Sequence, residues 1–343
     1  VGEVLSGVGM SISFDAGAAQ ALALDRLRKA APEAPLAELE LASRWLVEAE
    51  LLGLPDFGIG MLRRDLGRLA AGSSLAQQAE PPGPVSDAPT ASIDASGRPG
   101  ILALARATAV AAQRATTNGS AIVGIRGAGA LGVLGLAARE LAEQGFVAFL
   151  AAQAPPIVAP WGGTHAVVGT NPIAIAVPRP DTPPLVVDYA TAPATMAALR
   201  RHRAEGRALP AGLAIDADGA ATTDASRLAA LVPASLLGSL TGLVVELLAG
   251  VVTGGRGAAD GTRGAILIAV DASGTGAADV AAGAARFADE WQAAGGHLPA
   301  RFDALPTRTS TLAEQPAPTA RVALDESTAE WLGLGADATG GVR

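Results

Sequence analysis

The chain has no cysteine, one lysine, one tyrosine and three histidines among its 343 residues. The lack of cysteine excludes a disulfide framework, a thiolate metal site and a cysteine nucleophile. The histidines, His165, His202 and His297, are too scattered to suggest a three-histidine zinc centre, and no metal site is expected. A net charge of -8 leaves no basic face for a phosphate backbone, so nucleic acid is not an expected partner. Charged residues are scarce at 17%, while half the chain is apolar; this is the composition of a folded globular protein with a large core.

A clean membrane span is also lacking. Residues 231–252 have the roughly 20-residue length that a bilayer needs, but Pro233, Gly238, Gly242 and Glu246 interrupt them. They read as a buried core helix, and no membrane partner is expected. Residues 1–17 show no basic stretch followed by an apolar run, so they do not read as a secretory leader. The expected location is the cytoplasm.

Periodicity supplies the rest of the outline. Residues 36–69 carry apolar groups at helical spacing, broken at Gly53-Leu54-Pro55. Residues 79–100, rich in Pro, Gly and Ser, read as a long loop, and 101–116 as an alanine-built helix. Strands are expected at 121–125, 146–150, 173–177, 185–188 and 265–270, with helices at 131–144, 194–205, 228–248, 277–294 and 327–332. Residues 213–220 read as a strand entering a turn at Asp218-Gly219. Strand and helix alternate in the middle of the chain, which predicts an α/β fold with a mixed central sheet.

Gly127, Gly129 and Gly132 spell GxGxxG between a strand and a helix. A dinucleotide fingerprint needs a carboxylate about 20 residues later for the ribose. The run Phe149-Leu150-Ala151-Ala152-Gln153-Ala154 offers none. Close strand–helix packing is therefore the better account of these glycines.

A more specific signal lies in residues 155–191. Pro160-Trp161-Gly162-Gly163, Gly169-Thr170-Asn171-Pro172 and Asp188 with Ala190-Thr191 occur in order, followed by Pro210-Ala211-Gly212, Asp216-Ala217-Asp218-Gly219, Thr222-Thr223-Asp224 and Glu246-Leu247-Leu248-Ala249-Gly250. This series resembles the malate/L-lactate dehydrogenase family of nicotinamide-dependent 2-hydroxyacid and cyclic-imine oxidoreductases. The resemblance runs from about residue 36 to 255 and more weakly beyond. It implies that family's fold, with a central α/β domain at 116–239. A discontinuous helical, dimerising domain is expected from 1–115 with 240–343. It also implies a homodimer, with NAD(P)H as the family's cofactor.

The departures from the family pattern fall where its chemistry lies. The family's His-Gly pair, with an Arg three residues after the Gly, matches Phe57-Gly58 and Met61. Its catalytic His-x-Gly triplet matches Ala130-Leu131-Gly132, and a small polar residue used on the cofactor matches Ala154. The lysine that meets the dinucleotide matches Leu237. The resemblance leaves Asp188, Thr170 and Asn171 as cofactor-side groups, if a cofactor binds. Tyr189, His165 and Arg126 are the remaining candidates for catalysis, each with a packing or surface role as the alternative.

Hydride transfer to a keto acid needs a proton donor near working pH, a cation for the carboxylate, and a grip on the nicotinamide. Phe57, Met61, Ala130, Trp161 and Leu237 would instead line an apolar substrate pocket. The expected function is therefore a repurposed, non-redox cyclase or isomerase acting on an apolar, natural-product-like substrate. One alternative is an NAD(P)H-dependent reductase of a keto acid or cyclic imine with a rearranged site. Another is a catalytically inactive partner subunit. Ordinary 2-hydroxyacid dehydrogenase activity is not expected.

Overall fold

Two strands set the centre of the molecule: β3 (Ser120–Ala128), buried at alternate residues, and β10 (Arg263–Val270), buried almost throughout. They pair antiparallel, with Leu267 opposite Val123 and Ala269 opposite Ala121. The computed structural model describes residues 11–71, 88–256, 262–276, 279–306 and 320–334. Around this pair grows a six-stranded sheet with order β2-β3-β10-β4-β5-β6, which adds β2 (Thr90–Asp94), β4 (Val147–Ala152), β5 (Pro172–Val177) and β6 (Leu185–Ala190). β2 runs parallel to β3 and the other neighbours are antiparallel, so the sheet is mixed as the sequence predicts.

One face carries α4 (Gly100–Asn118) and α5 (Leu134–Ala142), whose small alanines allow close approach to the sheet. α1 (Ala16–Ala30), α2 (Leu36–Leu51) and α3 (Ile59–Ala70) pack outside them. α1 is capped by Asp15, whose carboxylate accepts the Ala18 N–H, and ends on Arg28 and Lys29, both favourable to its dipole. The chain end returns here as a ribbon of β1 (Ser11–Asp15) with β11 (Arg321–Asp325), followed by α9 (Glu326–Leu332).

The other face carries α7 (Leu236–Val245) and its π-helical continuation Glu246–Val251. Beyond lie α6 (Met196–Ala204) and a small sheet of β7 (Ala214–Ile215), β8 (Ala221–Thr222) and β9 (Ala230–Leu231). α8 (Val280–Ala293) follows β10.

The sheet draws β2 and β10 from outside the 116–239 block. Other features depart from the sequence reading. β2 sits inside the stretch read as loop; residues 79–87 of that stretch lie outside the described residues. α7 is not buried all round. Gly242, Val245, Glu246, Ala249 and Gly250 face the protein, whereas Leu236, Leu240, Leu243, Leu247 and Val251 form an exposed stripe. Among the described residues no helix is long and apolar enough to cross a membrane.

Candidate active site

The 3-10 turn Pro55–Phe57 delivers the chain into α3, which lies against the loop joining β3 to α5. Gly132 in that loop has φ +86°, and a Cβ there would sit 3.0 Å from Ile101 Cδ1, 3.5 Å from Met61 Cε and 3.7 Å from the Phe57 carbonyl. The positive φ favours glycine there, and the space around it is close-packed. The contact brings Phe57, Met61 and Ala130 into one neighbourhood. Met61 is fully packed in the main core, and Phe57 and Ala130 lean against it.

One helical turn along α5 sits Asp188. Its carboxylate accepts the Gly135 N–H at 2.8 Å. A Cβ at Gly135 would strike both Phe302 and the Asp188 carboxylate, so only glycine lets β6 place an acid this close to α5. Burial pushes the Asp188 carboxyl up to about 6, against the opposing pull of the Gly135 N–H and Arg301.

A second half-buried acid, Glu50, carries no signal in the sequence. Glu50 accepts the Ile59 N–H at 2.8 Å and so caps α3 from outside. Burial raises it to about 7 despite that bond. A carboxylate seven residues before Phe57, on the far side of a Gly-Leu-Pro breaker, carries no local signal of this role. Arg263, at the start of β10 opposite Ala128, was missed for the same reason.

Thr170 and Asn171 hold the opposite edge together. Asn171 is fully buried with φ +35°; its Oδ1 accepts the Ala154 N–H, and its Nδ2 donates to the Gly242 carbonyl and to Glu246, each at 3.0 Å. Both amide protons are therefore spent inside the protein. Glu246 also accepts from Gln153 at 2.9 Å and from Arg256. A satisfied buried network of this kind fixes geometry, here at the π-helical turn. The Thr170 carbonyl accepts both the N–H and the hydroxyl of Thr191, at 3.0 and 3.2 Å. Thr191 in turn packs on Gly242 of α7.

The remaining sequence candidates scatter. Trp161 and Leu237 do not belong to the core cluster of Phe57, Met61 and Ala130. Trp161 is half exposed and donates its backbone N–H to Ser239 Oγ at the start of α7, and Leu237 is 74% exposed on that helix. Tyr189 alternates away from Asp188 and lies half exposed. His165 is exposed and paired with Thr164 Oγ1 at 2.9 Å. Arg126 is spent on a surface ion pair with Asp94 at 2.9 Å, beside β2. Among the described residues no group of acids or histidines could hold a metal ion. A cavity of about 1250 Å³ opens between α1, α2 and α4, lined by Glu38, Arg44, Glu48 and Glu140 among others, and contains none of these candidates.

Trp161, Thr191 and the first turn of α7 lie together: the Trp161 N–H donates to Ser239 Oγ, and Thr191 packs on Gly238 and Gly242. Backbone N–H groups at a helix N-terminus favour phosphate, and Ser235 Oγ there accepts the Gly238 N–H. Leu237 supplies no cation to that edge.

The family model for malate/L-lactate dehydrogenase matches residues 15–332. The chain is 34% identical to (2R)-3-sulfolactate dehydrogenase (NADP(+)) from Chromohalobacter salexigens over 64% of this chain and 66% of that protein. It is 37% identical to a Δ1-pyrroline-2-carboxylate/Δ1-piperideine-2-carboxylate reductase from Pseudomonas aeruginosa, over 43% of this chain and 45% of that one. The chain thus spans two thirds or less of the length of these relatives. Among solved structures, Δ1-piperideine-2-carboxylate reductase from Pseudomonas syringae pv. tomato superposes with a TM-score of 0.76 at 26% identity, covering 94% of this chain and 100% of that one. With the mixed sheet, the β3–α5 loop and the Asp188–Gly135 contact already in place, the chain belongs to the malate/L-lactate dehydrogenase family.

Proposed function

We propose that the chain is an NAD(P)H-dependent reductase of a small carboxylate-bearing substrate, a cyclic imine or a 2-oxo acid, with Asp188 as its proton-holding group. The observation that carries this reading is the Asp188 carboxyl, half-buried within one helical turn of the loop that bears Ala130, bonded to the Gly135 N–H and pushed up to about 6. A carboxylic acid with a pKa near working pH serves as a general acid. Trp161, Thr191 and the α7 amides would hold the dinucleotide, whose chemistry is supply of a hydride.

A cyclic imine suits this site best. Its protonated C=N carbon is already electrophilic, so loss of the histidine at position 130 matters less than for a ketone. Hydride adds at carbon, the C=N π pair becomes the nitrogen lone pair, and the nitrogen keeps its proton. For a 2-oxo acid the carbonyl oxygen takes its proton from Asp188. The relatives from the two Pseudomonas species, named as imine-carboxylate reductases, support the first substrate class.

The reading as a non-redox cyclase or isomerase rested on one apolar pocket formed by five residues. Three of them pack together, and the other two stand exposed on a different edge. The relatives named above are a dehydrogenase and reductases.

The test combines binding with turnover. NADPH or NADH at about 100 times its dissociation constant should stabilise the protein by about 2.7 kcal/mol. Δ1-Piperideine-2-carboxylate should then consume reduced cofactor. Silence from both cofactors in a thermal-shift titration, with no oxidation in the presence of imine, would end the reductase reading.

A second copy of the chain is proposed as its partner, docked on the apolar stripe of α7. Continuous exposed apolar surface of this kind marks an interaction site.

A further inference from the structure

The loop bearing Ala130 is approached from two sides. From α3 come Met61 and Asp65, four residues apart and therefore on one face. Met61 faces Gly132, and the Asp65 carboxylate faces Gly129. From β10 comes Arg263, opposite Ala128 across the ladder and so two residues from Ala130.

The charges around Arg263 do not balance. It lies within electrostatic reach of Asp65, Arg68 and Arg200. Asp65 is already committed: one oxygen accepts Arg68 Nη2 at 2.8 Å, and the other accepts the Gly100 N–H at 2.8 Å. Arg200 is held only loosely, 3.5 Å from Asp56, a carboxylate that it shares with Arg201 at 3.2 Å. Among the described residues the Arg263 guanidinium has no ion pair, and its buried Nε has no hydrogen-bond partner. Burial lowers its affinity for the proton; Asp65 opposes this, and the guanidiniums of Arg68 and Arg200 add to it. A planar fork of donors left unpaired at low exposure is suited to a carboxylate, which it can hold in bidentate fashion.

We infer that Arg263, supported by Arg200, holds the carboxylate of the substrate, the task that the family resemblance gives to an arginine at the position of Met61. The cation has not vanished from the site but enters from β10 rather than from α3. This rests on the reductase reading for the identity of the anion as a substrate carboxylate; the anion site itself does not depend on it.

The experiment uses oxalate as the probe, with its neutral counterpart oxamide and with inorganic phosphate, in calorimetric titrations of the full chain with and without NADPH. Oxalate should bind, oxamide should not, and Arg263→Gln should weaken oxalate at least tenfold. Arg263→Lys should fall between, because it keeps the charge and loses the fork. Without ligand, Arg263→Gln should melt at the same temperature as the parent or higher, since it removes a partly buried charge that has no ion pair among the described residues. The inference is overturned by an unchanged oxalate affinity in Arg263→Gln, by a preference for phosphate over oxalate, or by a marked fall in melting temperature that makes Arg263 a structural strut. The two proposals separate cleanly. Oxalate binding lost in the variant, with no turnover of imine by the parent, leaves the anion site and removes the reductase. Turnover with an unchanged KM in Arg263→Gln does the reverse.

Discussion

The Asp188 carboxylate and the Gly135 amide meet at 2.8 Å, joining β6 to the first turn of α5. A helix N-terminus favours a carboxylate, yet burial outweighs it and the carboxyl rises to about 6. The acid is therefore fixed in place and still able to carry a proton near neutrality.

Asp188→Asn keeps an oxygen for the Gly135 N–H and removes the titrating proton. With a 2-oxo acid, the variant should lose about 10²–10⁴ in kcat, the usual worth of a general acid, with unchanged NADPH affinity. In the parent, kcat for the same substrate should fall as pH rises through about 6, because the protonated fraction falls above that value. The variant should show no such step. A matching pH profile in parent and variant would remove Asp188 from the proton path.

Glu50 makes a prediction about stability. Its folded pKa, about 7, stands above its ordinary value because burial disfavours the charge. The folded state then binds the proton more tightly than the unfolded state, so this group costs stability as pH rises from the ordinary carboxylate range to about 7. Glu50→Gln retains an oxygen for the Ile59 N–H and abolishes the cost. It should be more stable than the parent at pH 8 by about 1–2 kcal/mol after allowance for partial exposure, and nearly equal to it at pH 4. Thermal melts at the two pH values measure this, and a variant less stable at pH 8 would show that the charge is needed for the cap.

Much of the scaffold was legible because it is written in local pattern. The short apolar runs of β3 and β10, the alanine-rich helix α4 and the Gly-Leu-Pro break before α3 all state their structure within a few residues. β2 and the β1–β11 ribbon were not legible, since a short strand is stabilised by a partner far away in sequence. The site divides in the same way. Phe57, Met61 and Ala130 were found because the family pattern marks their positions, and the structure brings them together at Gly132. Asn171 was noticed as a cofactor-side group, but its amide is consumed by Ala154, Gly242 and Glu246, contacts that only the folded chain can reveal. Arg263 and Glu50 lie outside any motif, and their meaning comes from what surrounds them.

The stripe on α7 predicts self-association. Leu243 and Leu247 are both about half exposed, at 47% and 48%, on the outer side of the helix. The parent should sediment as a dimer at micromolar concentration. Leu243→Arg with Leu247→Arg places two charges where desolvation would be required, and should yield a folded monomer by sedimentation and far-ultraviolet circular dichroism. A parent that sediments as a monomer would remove this face as the dimer contact.

Leu237 offers the most direct test of the cofactor edge. It stands 74% exposed in the first turn of α7, so a charged replacement breaks no packing. Leu237→Lys restores the cation that the family resemblance puts there. A cation near a helix N-terminus costs about 0.3–1 kcal/mol through the dipole. A charge-assisted bond to a phosphate is worth about 1.5–3 kcal/mol, so the net gain should be roughly tenfold in NADPH affinity. The gain should shrink with added salt, because exposed charges are screened. Calorimetric titration of parent and variant at low and high salt reads both effects. If Leu237→Lys binds NADPH no better than the parent at low salt, the dinucleotide phosphates do not lie over the first turn of α7.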